Sequence, residues 1–239
     1  GRRPVDGRPS ETSPATWKKK GVLIFRDRRD AGERLADALE KEYAGADTVV
    51  LAIPRGGAEV GFRVAIRLKS EFSLLISRKL PNPDNPETGF GAVAEGGEPI
   101  ILRHAALHLS DETVERIIRQ QREEIERRVE VLRDGESLPD IEGKTVILVD
   151  DGLAMGSTMR AAIAACRKQN AGKVIVAVPV SDPRAARDVE QLADGAVILE
   201  IPRFYRAVAQ VYHDWYDVPD EEVLEIMKDA EQARAGDHP

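Results

Sequence analysis

Short apolar runs rich in β-branched residues recur along the chain, and a turn and a helical pattern follow each of them. The clearest runs are residues 48–53 (TVVLAI), 145–149 (TVILV) and 173–180 (KVIVAVPV), and further strand candidates lie at 72–77 and 196–201. Strands that are apolar on both faces belong inside a sheet that helices cover on both sides. The pattern therefore predicts an α/β fold with a doubly wound, mainly parallel sheet.

Helical periodicity occupies most of the intervening segments. Amphipathic patterns predict helices over about 27–42, from the turn after residue 53 to about 68, over 111–133, and from about 156 to 168. The segment 111–133 carries apolar residues on one face and dense charge on the other. This favours a solvated helix that packs on its own sheet over a homodimer contact, which stays open as an alternative.

Two segments depart from the pattern in which strands and helices alternate. Residues 80–91 (LPNPDNPETGFG) contain three prolines and two glycines, and they are predicted to form a long loop. Residues 92–103 resemble two short strands around Gly96 and Gly97, which makes them a hairpin candidate. Residues 1–20 show no periodicity, so we interpret them as a flexible leader before a single domain over residues 21–239.

Composition and charge exclude several classes of protein. The 239 residues include 35 Lys plus Arg against 42 Asp plus Glu, and the net charge of −7 argues against nucleic-acid binding driven by bulk charge. No apolar run approaches the roughly 20 residues of a membrane-spanning helix. We therefore expect a cytoplasmic protein that binds neither nucleic acid nor membrane. Its one cysteine, Cys166, lies in an Ala-rich helical pattern and is interpreted as a core residue.

The strongest candidate site is the turn after the strand at 145–149. Residues 146–158 (VILVDDGLAMGST) place two adjacent carboxylates, Asp150 and Asp151, at the end of an apolar strand and then run through small residues into a helix. A helix N-terminus at the carboxyl edge of a sheet offers unpaired N–H groups to an anion. Carboxylates beside such an anion site suit sugar hydroxyls, a metal ion or a developing cation. The turn therefore indicates a phosphosugar site.

Common nucleotide and metal motifs do not fit. The turn has no lysine after its glycine, as the Walker sequence G-x-x-x-x-G-K-[ST] requires, and residues 56–61 (GGAEVG) do not match G-x-G-x-x-G. These absences argue against an ordinary ATPase or kinase loop and against a dinucleotide-dependent oxidoreductase. His104 and His108 have the spacing of metal ligands on a helix, but they lack cysteine partners or an HExxH glutamate.

Several segments together resemble the type I phosphoribosyltransferases. VILVDDGLAMGST resembles the phosphoribosyl-diphosphate (PRPP) binding signature of that family, and residues 53–57 (IPRGG) are similar to its pyrophosphate-binding turn. Arg78 and Lys79 are similar to the start of its flexible loop. The order of strands and helices from about Phe25 to Met227 also fits the family. The resemblance implies the type I fold with a small hood, a hairpin and a C-terminal helix.

Three shorter segments resemble a prokaryotic subgroup that is usually described only as candidate phosphoribosyltransferases. They are FRDR at residues 25–28, AVAEGG at 92–97 and DEEV at 220–223. The family resemblance implies Mg2+-dependent transfer of 5-phosphoribose from PRPP to a nitrogenous base, with release of pyrophosphate. A non-catalytic regulator that binds PRPP or a nucleotide is the alternative function.

The resemblance also implies roles for individual residues. Asp150 and Asp151 would hold the ribose hydroxyls and help to order a magnesium ion, although an aspartate in such a turn can also cap a helix. The 5-phosphate would be bound by the backbone amides of Ala154, Met155, Gly156, Ser157 and Thr158. Arg55 and the amides of Gly56 and Gly57 would bind pyrophosphate, unless they form a simple turn. In relatives the peptide bond at the positions of Pro54 and Arg55 is often cis.

Other assignments concern catalysis and the base. Lys79 would begin a loop that closes over the diphosphate, with an ordinary solvated strand end as the less favoured alternative. Hypoxanthine and guanine enzymes have Asp at the position of Ala154, so this chain is more similar to adenine enzymes, and Glu95 is a candidate substitute acid or base. Most relatives have Thr at the position of Met155. Phe204 and Tyr212, in the aromatic segment 202–216, are candidate base-stacking residues, with packing onto the core as the alternative.

Overall fold

The computed structural model describes residues 18–19 and 22–236. The strands are β1 (Lys18–Lys19), β2 (Val22–Leu23), β3 (Thr48–Ala52), β4 (Glu71–Leu74), β5 (Ser77–Asn82), β6 (Asn85–Ala94), β7 (Ile100–Ile101), β8 (Thr145–Val149), β9 (Lys173–Val180) and β10 (Gly195–Glu200). The α-helices are α1 (Arg28–Tyr43), α2 (Gly57–Leu68), α3 (Arg103–Ala106), α4 (Asp111–Arg133), α5 (Ser157–Lys168), α6 (Pro183–Leu192) and α7 (Asp220–Gly236), and a short 3-10 helix covers Val208–Val211.

A parallel sheet forms the centre of the structure. Its five strands lie in the order β10-β9-β8-β3-β4, and every neighbouring pair is parallel. Successive side chains of a strand point to opposite faces, and in β3 Val49 and Leu51 pack with α5 and α6 while Val50 packs with α1 and α2. All three side chains are buried. The predicted doubly wound α/β fold is therefore confirmed.

A second, antiparallel layer lies beside the parallel sheet. Strands β5, β6 and β7 form a three-stranded sheet, and we call this sheet together with α4 the hood. Helix α4 buries Ile117, Ile125 and Leu132 in a cluster shared with β4, β5, β6 and α7. The predicted packing of this helix within its own chain is confirmed, and its predicted bounds coincide with those observed.

The predicted loop at residues 80–91 is wrong, because this segment is most of a β-hairpin. Pro81 lies on the edge strand β5 at a shift in register, and Pro83 belongs to the two-residue turn at the tip. Pro86 lies in β6 between the paired residues Asn85 and Gly89. Each proline thus lies at a position where no hydrogen bond between strands requires a backbone N–H group. Proline is tolerated within a sheet at such positions.

Two further predictions need adjustment. The predicted strand at 72–77 is divided, since β4 ends at Leu74 and β5 begins at Ser77. The hairpin candidate at 92–103 is confirmed in part, because the last residues of β6 pair antiparallel with β7 around a turn in which Gly96 has a φ of 68°. Cys166 is fully buried, as expected for a core residue.

The predicted leader lies mostly outside the described residues. Only Lys18 and Lys19 of residues 1–20 are described, and they pair antiparallel with Val22 and Leu23. Among the helices of the described residues, none combines the length and the apolar character that crossing a membrane requires.

Gly91 provides a test of the hood. A Cβ atom at this position would lie 2.1 Å from the carbonyl oxygen of Ile100 in β7, so β6 and β7 cannot keep their pairing with a side chain there. We expect Gly91→Ala to lower the free energy of unfolding by about 2 kcal/mol, as overpacking in a rigid setting does. Urea denaturation measures the change. Gly195→Ala is the control, since its Cβ would meet only the end of the Ile175 side chain, at 3.1 Å, and an equal loss in both variants would contradict this account.

Candidate active site

Two turns meet at the carboxyl edge of the parallel sheet. Strands β3 and β8 are neighbours in register, with Ala52 opposite Val149, so the chain leaves both strands at the same level. A Cβ atom on Gly57 would lie 2.9 Å from the Cα atom of Asp150, and one on Gly56 would lie 2.0 Å from Oδ2 of Asp151. Only glycine fits where the turn passes the two aspartates. The structure thus brings together the predicted pyrophosphate turn and the predicted carboxylate pair.

The two helices that directly follow β3 and β8 lack a side-chain cap. Helix α2 follows Gly56, and α5 follows Gly156, which has a φ of 70°. By contrast, the N-termini of α1, α4 and α6 are capped by the side chains of Asp27, Ser110 and Asp182. Uncapped N–H groups at a helix N-terminus can donate to an anion. At the start of α2 the N–H groups of Gly57 and Ala58 already donate to the carbonyls of Ile53 and Arg55, both at 3.1 Å. The start of α5 is therefore the better candidate for binding an anion through backbone N–H groups.

The turn before α5 is held on both sides. The backbone N–H of Leu153 donates to the carbonyl of Val180 at 2.9 Å, and the N–H of Asp182 donates to the carbonyl of Leu153 at 2.8 Å. The hydroxyl of Ser77, at the start of β5, donates to the carbonyl of Thr158 at 2.9 Å. The first turn of α5 is thus connected to β9 and to the hood. Within the turn, Ala154 and Met155 are exposed.

The two aspartates are electrostatically different. Asp151 forms an ion pair with Arg28, whose Nε lies 2.9 Å from Oδ2, and both side chains are nearly inaccessible to solvent. Burial raises the pKa of Asp151, and Arg28 opposes that shift. Asp150 has no ion pair among the described residues, and burial together with the charge of Asp151 raises its pKa well above the ordinary value. Asp150 is thus the carboxylate whose charge lacks a partner.

Arg28 is a site residue whose role sequence reasoning missed. It is the first residue of α1, and its guanidinium lies 4.1 Å from the centre of the Trp215 ring and donates to the carbonyl of Tyr216 at 2.9 Å. The sequence contained the residue within FRDR, but no local pattern links it to an aspartate 123 positions away. The arginine connects α1, the carboxylate pair and the segment before α7.

The candidate base-stacking residues occupy different environments. Tyr212 is buried, its ring packs between those of Phe25 and Trp215, and its hydroxyl donates to the carbonyl of Asp151 at 2.7 Å. These contacts agree with the alternative that Tyr212 packs onto the core. They give no geometric support for base stacking by Tyr212. Phe204 is 86% exposed and has a free ring face for a ligand.

Tyr205, in the aromatic segment 202–216, was not singled out from the sequence. Its hydroxyl oxygen is buried and has no hydrogen-bond partner among the described residues. Burial, followed by the charges of Asp151 and Asp150, raises the pKa of this phenol. Buried polar groups usually have a hydrogen-bond partner, so this unpartnered hydroxyl is an exception in the described part of the chain.

Glu95 has the contacts of a structural residue. Its carboxylate accepts two hydrogen bonds from Nη1 of Arg133, at 2.8 and 2.9 Å, and a third from the backbone N–H of Ile76 at 2.9 Å. The same Arg133 nitrogen also donates to the carbonyl of Leu74 at 2.8 Å. The pair joins α4 to the segment between β4 and β5. The suggested role of Glu95 as acid or base stays an untested prediction, and these contacts do not require it.

The predicted diphosphate residues lie on two elements. The peptide bond between Pro54 and Arg55 is cis, in agreement with the family resemblance. Arg78, on β5, donates to the side chain of Gln121 on α4 at 3.1 Å. Lys79 lies in the hairpin rather than in a loop, and its Nζ donates to the carbonyl of Glu87 at 2.8 Å. No cluster of three or more His, Cys, Asp or Glu side chains suited to a metal ion occurs among the described residues.

Comparison with known proteins finds a matching family model and relatives that are named as phosphoribosyl transferases. The family model described as "Phosphoribosyl transferase domain" matches residues 24–214. Rv0571c of Mycobacterium tuberculosis, named as a candidate phosphoribosyl transferase, is 36% identical over 219 residues, which cover 90% of this chain and 49% of the relative. MT0597 of another strain of that species matches equally. The chain therefore spans about half the length of the curated relatives it matches.

A solved structure agrees with these matches. The crystal structure of TT1426 from Thermus thermophilus superposes with a TM-score of 0.74 at 38% sequence identity, and the match covers 87% of this chain and 99% of that one. The family model covers most of the chain, including both turns of the site, and the chain therefore belongs to the phosphoribosyl transferase domain family.

Proposed function

We propose that this protein transfers 5-phosphoribose from PRPP to a nitrogenous base and releases pyrophosphate. The observation that carries the proposal is the contact between the turn at 54–57 and the aspartate pair, since it unites the two ligand-binding segments of the family in one site. Membership of the phosphoribosyl transferase domain family supports the same reaction. We take residues 21–239 as the catalytic unit.

The arrangement suits the three parts of PRPP. The 5-phosphate accepts hydrogen bonds from the backbone of residues 154–158 at the N-terminus of α5, and the diphosphate lies against Arg55 and the N-terminus of α2. The ribose then lies between them, beside Asp150. Phe204 is the proposed base-stacking residue, and Lys79 is kept as a proposed contact of the diphosphate.

The chemistry explains why a carboxylate belongs at this point. The bond between ribose C1 and the diphosphate oxygen breaks, a nitrogen of the base forms the new bond to C1, and the proton on that nitrogen passes to the departing pyrophosphate or to water. Positive charge develops on the ribose as the diphosphate leaves, and a fixed carboxylate stabilises that charge. Asp150 is suited to this role because no cationic side chain of the described residues neutralises it. Its charged form is favoured once a cation is beside it.

The donor set also fits Mg2+. Magnesium is commonly held by one or two carboxylates together with substrate phosphates and water. Asp150 is a partly buried carboxylate without an ion pair in the described part of the chain, and Asp151 is adjacent to it. These two residues would hold the ion, which neutralises charge on the departing diphosphate.

A non-catalytic PRPP sensor is the second candidate. The observation that favours it is the ion pair of Asp151 with Arg28, which leaves one carboxylate rather than two free to act on the ribose. Such a protein would bind PRPP without turnover. The two functions therefore differ in whether pyrophosphate appears when a base is added.

The first test is Mg2+-dependent pyrophosphate release from PRPP with a panel of purines, pyrimidines and other nitrogenous bases. We expect release with one base or a narrow group of bases, and we expect Asp150→Asn to lower the rate at least about a hundredfold, as loss of an electrostatic contact to the transition state does. PRPP binding without release in the whole panel would favour the sensor. Absence of PRPP binding would contradict both functions.

A second prediction separates the two aspartates. Asp151→Asn leaves Arg28 buried without its counter-charge, so we expect the free energy of unfolding to fall by about 3 kcal/mol. Asp150→Asn removes a carboxylate that has no ion pair, so we expect its unfolding free energy to change by less than about 1 kcal/mol. Urea denaturation at neutral pH gives both values. Similar losses in the two variants would show that the ion pair does not distinguish them.

A third prediction concerns Glu95. Glu95→Gln breaks a buried ion pair with Arg133, and we expect a loss of about 3 kcal/mol in the free energy of unfolding with little change in the turnover of the folded protein. Glu98→Gln is the matched control, because Glu98 is an exposed residue that pairs with Lys168. Unchanged stability with a large fall in turnover would instead assign Glu95 to acid–base catalysis.

A further inference from the structure

Three elements that are distant in sequence bring opposite charges together beside the pyrophosphate turn. Nη1 of Arg55 lies 3.6 Å from Oδ1 of Asp220, the first residue of α7. Nη1 of Arg128, on α4, lies 3.7 Å from the same oxygen. One carboxylate oxygen thus lies between two guanidinium groups.

The carboxylate satisfies these arginines poorly. Both separations exceed hydrogen-bond distance, and Oδ1 of Asp220 is buried without a hydrogen-bond partner among the described residues. A half-buried third arginine, Arg78, lies nearby, and burial followed by the charge of Arg128 lowers its pKa. Two carboxylates pair with these arginines, Asp220 and also Glu124, which accepts from Nε of Arg128 at 3.0 Å. Three positive charges therefore face two negative ones. An anion with more charge and more oxygen atoms than a carboxylate would pair with these groups better.

The neighbour of Arg128 on the same helix provides a contrast. Arg127 is 56% exposed, and its Nε and Nη2 both donate to the carboxylate of Glu124 at 2.8 Å. Arg128 is only 17% exposed, and it uses Nε for Glu124 while Nη1 faces Asp220. Of these two arginines, Arg128 is the one that approaches Asp220, the carboxylate that also lies beside Arg55.

We propose that Arg128 is a second arginine of the diphosphate site and that Asp220 is an internal counter-ion which the diphosphate displaces. The inference rests on the proposed function, because it adds a binding residue to the same site. In the ligand-free chain Asp220 keeps Arg55 and Arg128 close together. When the diphosphate arrives, its oxygens take over both guanidinium groups, and the carboxylate at the start of α7 is released.

Titration calorimetry of the full chain with pyrophosphate and Mg2+ tests the proposal without depending on turnover. We expect Arg128→Gln to weaken pyrophosphate binding about tenfold or more, because a charge-assisted contact is lost. Arg127→Gln is the matched control and should bind within about twofold of the unmodified chain. Asp220→Asn should tighten binding about threefold, since the competing anion is gone.

The double variant distinguishes direct binding from damage to the helix. If Arg128→Gln acts only by leaving Asp220 without a partner, adding Asp220→Asn will restore binding. If Arg128 contacts the diphosphate, the double variant will bind more weakly than Asp220→Asn alone. Thermal unfolding of all variants checks that each is folded under the conditions of the titration.

The outcomes separate this inference from the proposed function. Equal binding by the Arg128→Gln and Arg127→Gln variants, together with weaker binding by Arg55→Gln, would overturn the role of Arg128 and leave the diphosphate site intact. Unchanged or weaker binding by Asp220→Asn would overturn its role as the displaced counter-ion. Failure of the unmodified chain to bind either pyrophosphate or PRPP would reject the proposed function, and this inference with it.

Discussion

The parallel pairing of β3 with β8 is the constraint on which the site depends. Because Ala52 lies opposite Val149, both strands end at one level, and the turns that follow them must share the same small space. The glycines at 56 and 57 make this contact feasible, since a side chain at either position would collide with the aspartates. Two helices then begin side by side with uncapped N-termini. The proposed PRPP site depends on that one register.

Incomplete charge compensation gives the site its chemical character. The carboxylate of Asp151 is neutralised by Arg28, whereas that of Asp150 is not neutralised by any ion pair of the described residues. On the other side of the turn, Arg55 and Arg128 share one poorly bonded carboxylate oxygen of Asp220. Arg55 is partly exposed, and Arg128 also pairs with Glu124 through Nε, so the poorly bonded group on this side is Oδ1 of Asp220. In the proposed reaction, the positive charge that develops on the ribose would lie beside Asp150. The anionic pyrophosphate would pair with Arg55 and Arg128.

Sequence patterns predicted the parallel sheet and most of the helices beside it, because buried strands and amphipathic helices have strong periodicities, but they did not predict α6. Helix α4, for example, has the predicted bounds at Asp111 and Arg133. The β5–β6 hairpin was not predicted, since its prolines indicated a loop. Whether a proline interrupts a sheet depends on whether a neighbouring strand needs its N–H group. That depends on edge position and register, which the order of residues along the chain does not contain.

The candidate site also has parts that the sequence predicted and parts that it did not. Local sequence determined the apolar strands, the glycine turns and the adjacent carboxylates, because these features lie within a few residues of one another and follow from backbone geometry. Tertiary structure alone decided the partners of the charged groups: Arg28 reaches an aspartate 123 positions away, and Asp220 meets Arg55 and Arg128 from a third element. The physical reason is that solvation and charge pairing depend on distance in space. The sequence therefore determined which charged groups were present, and only the fold decided which of them would be neutralised.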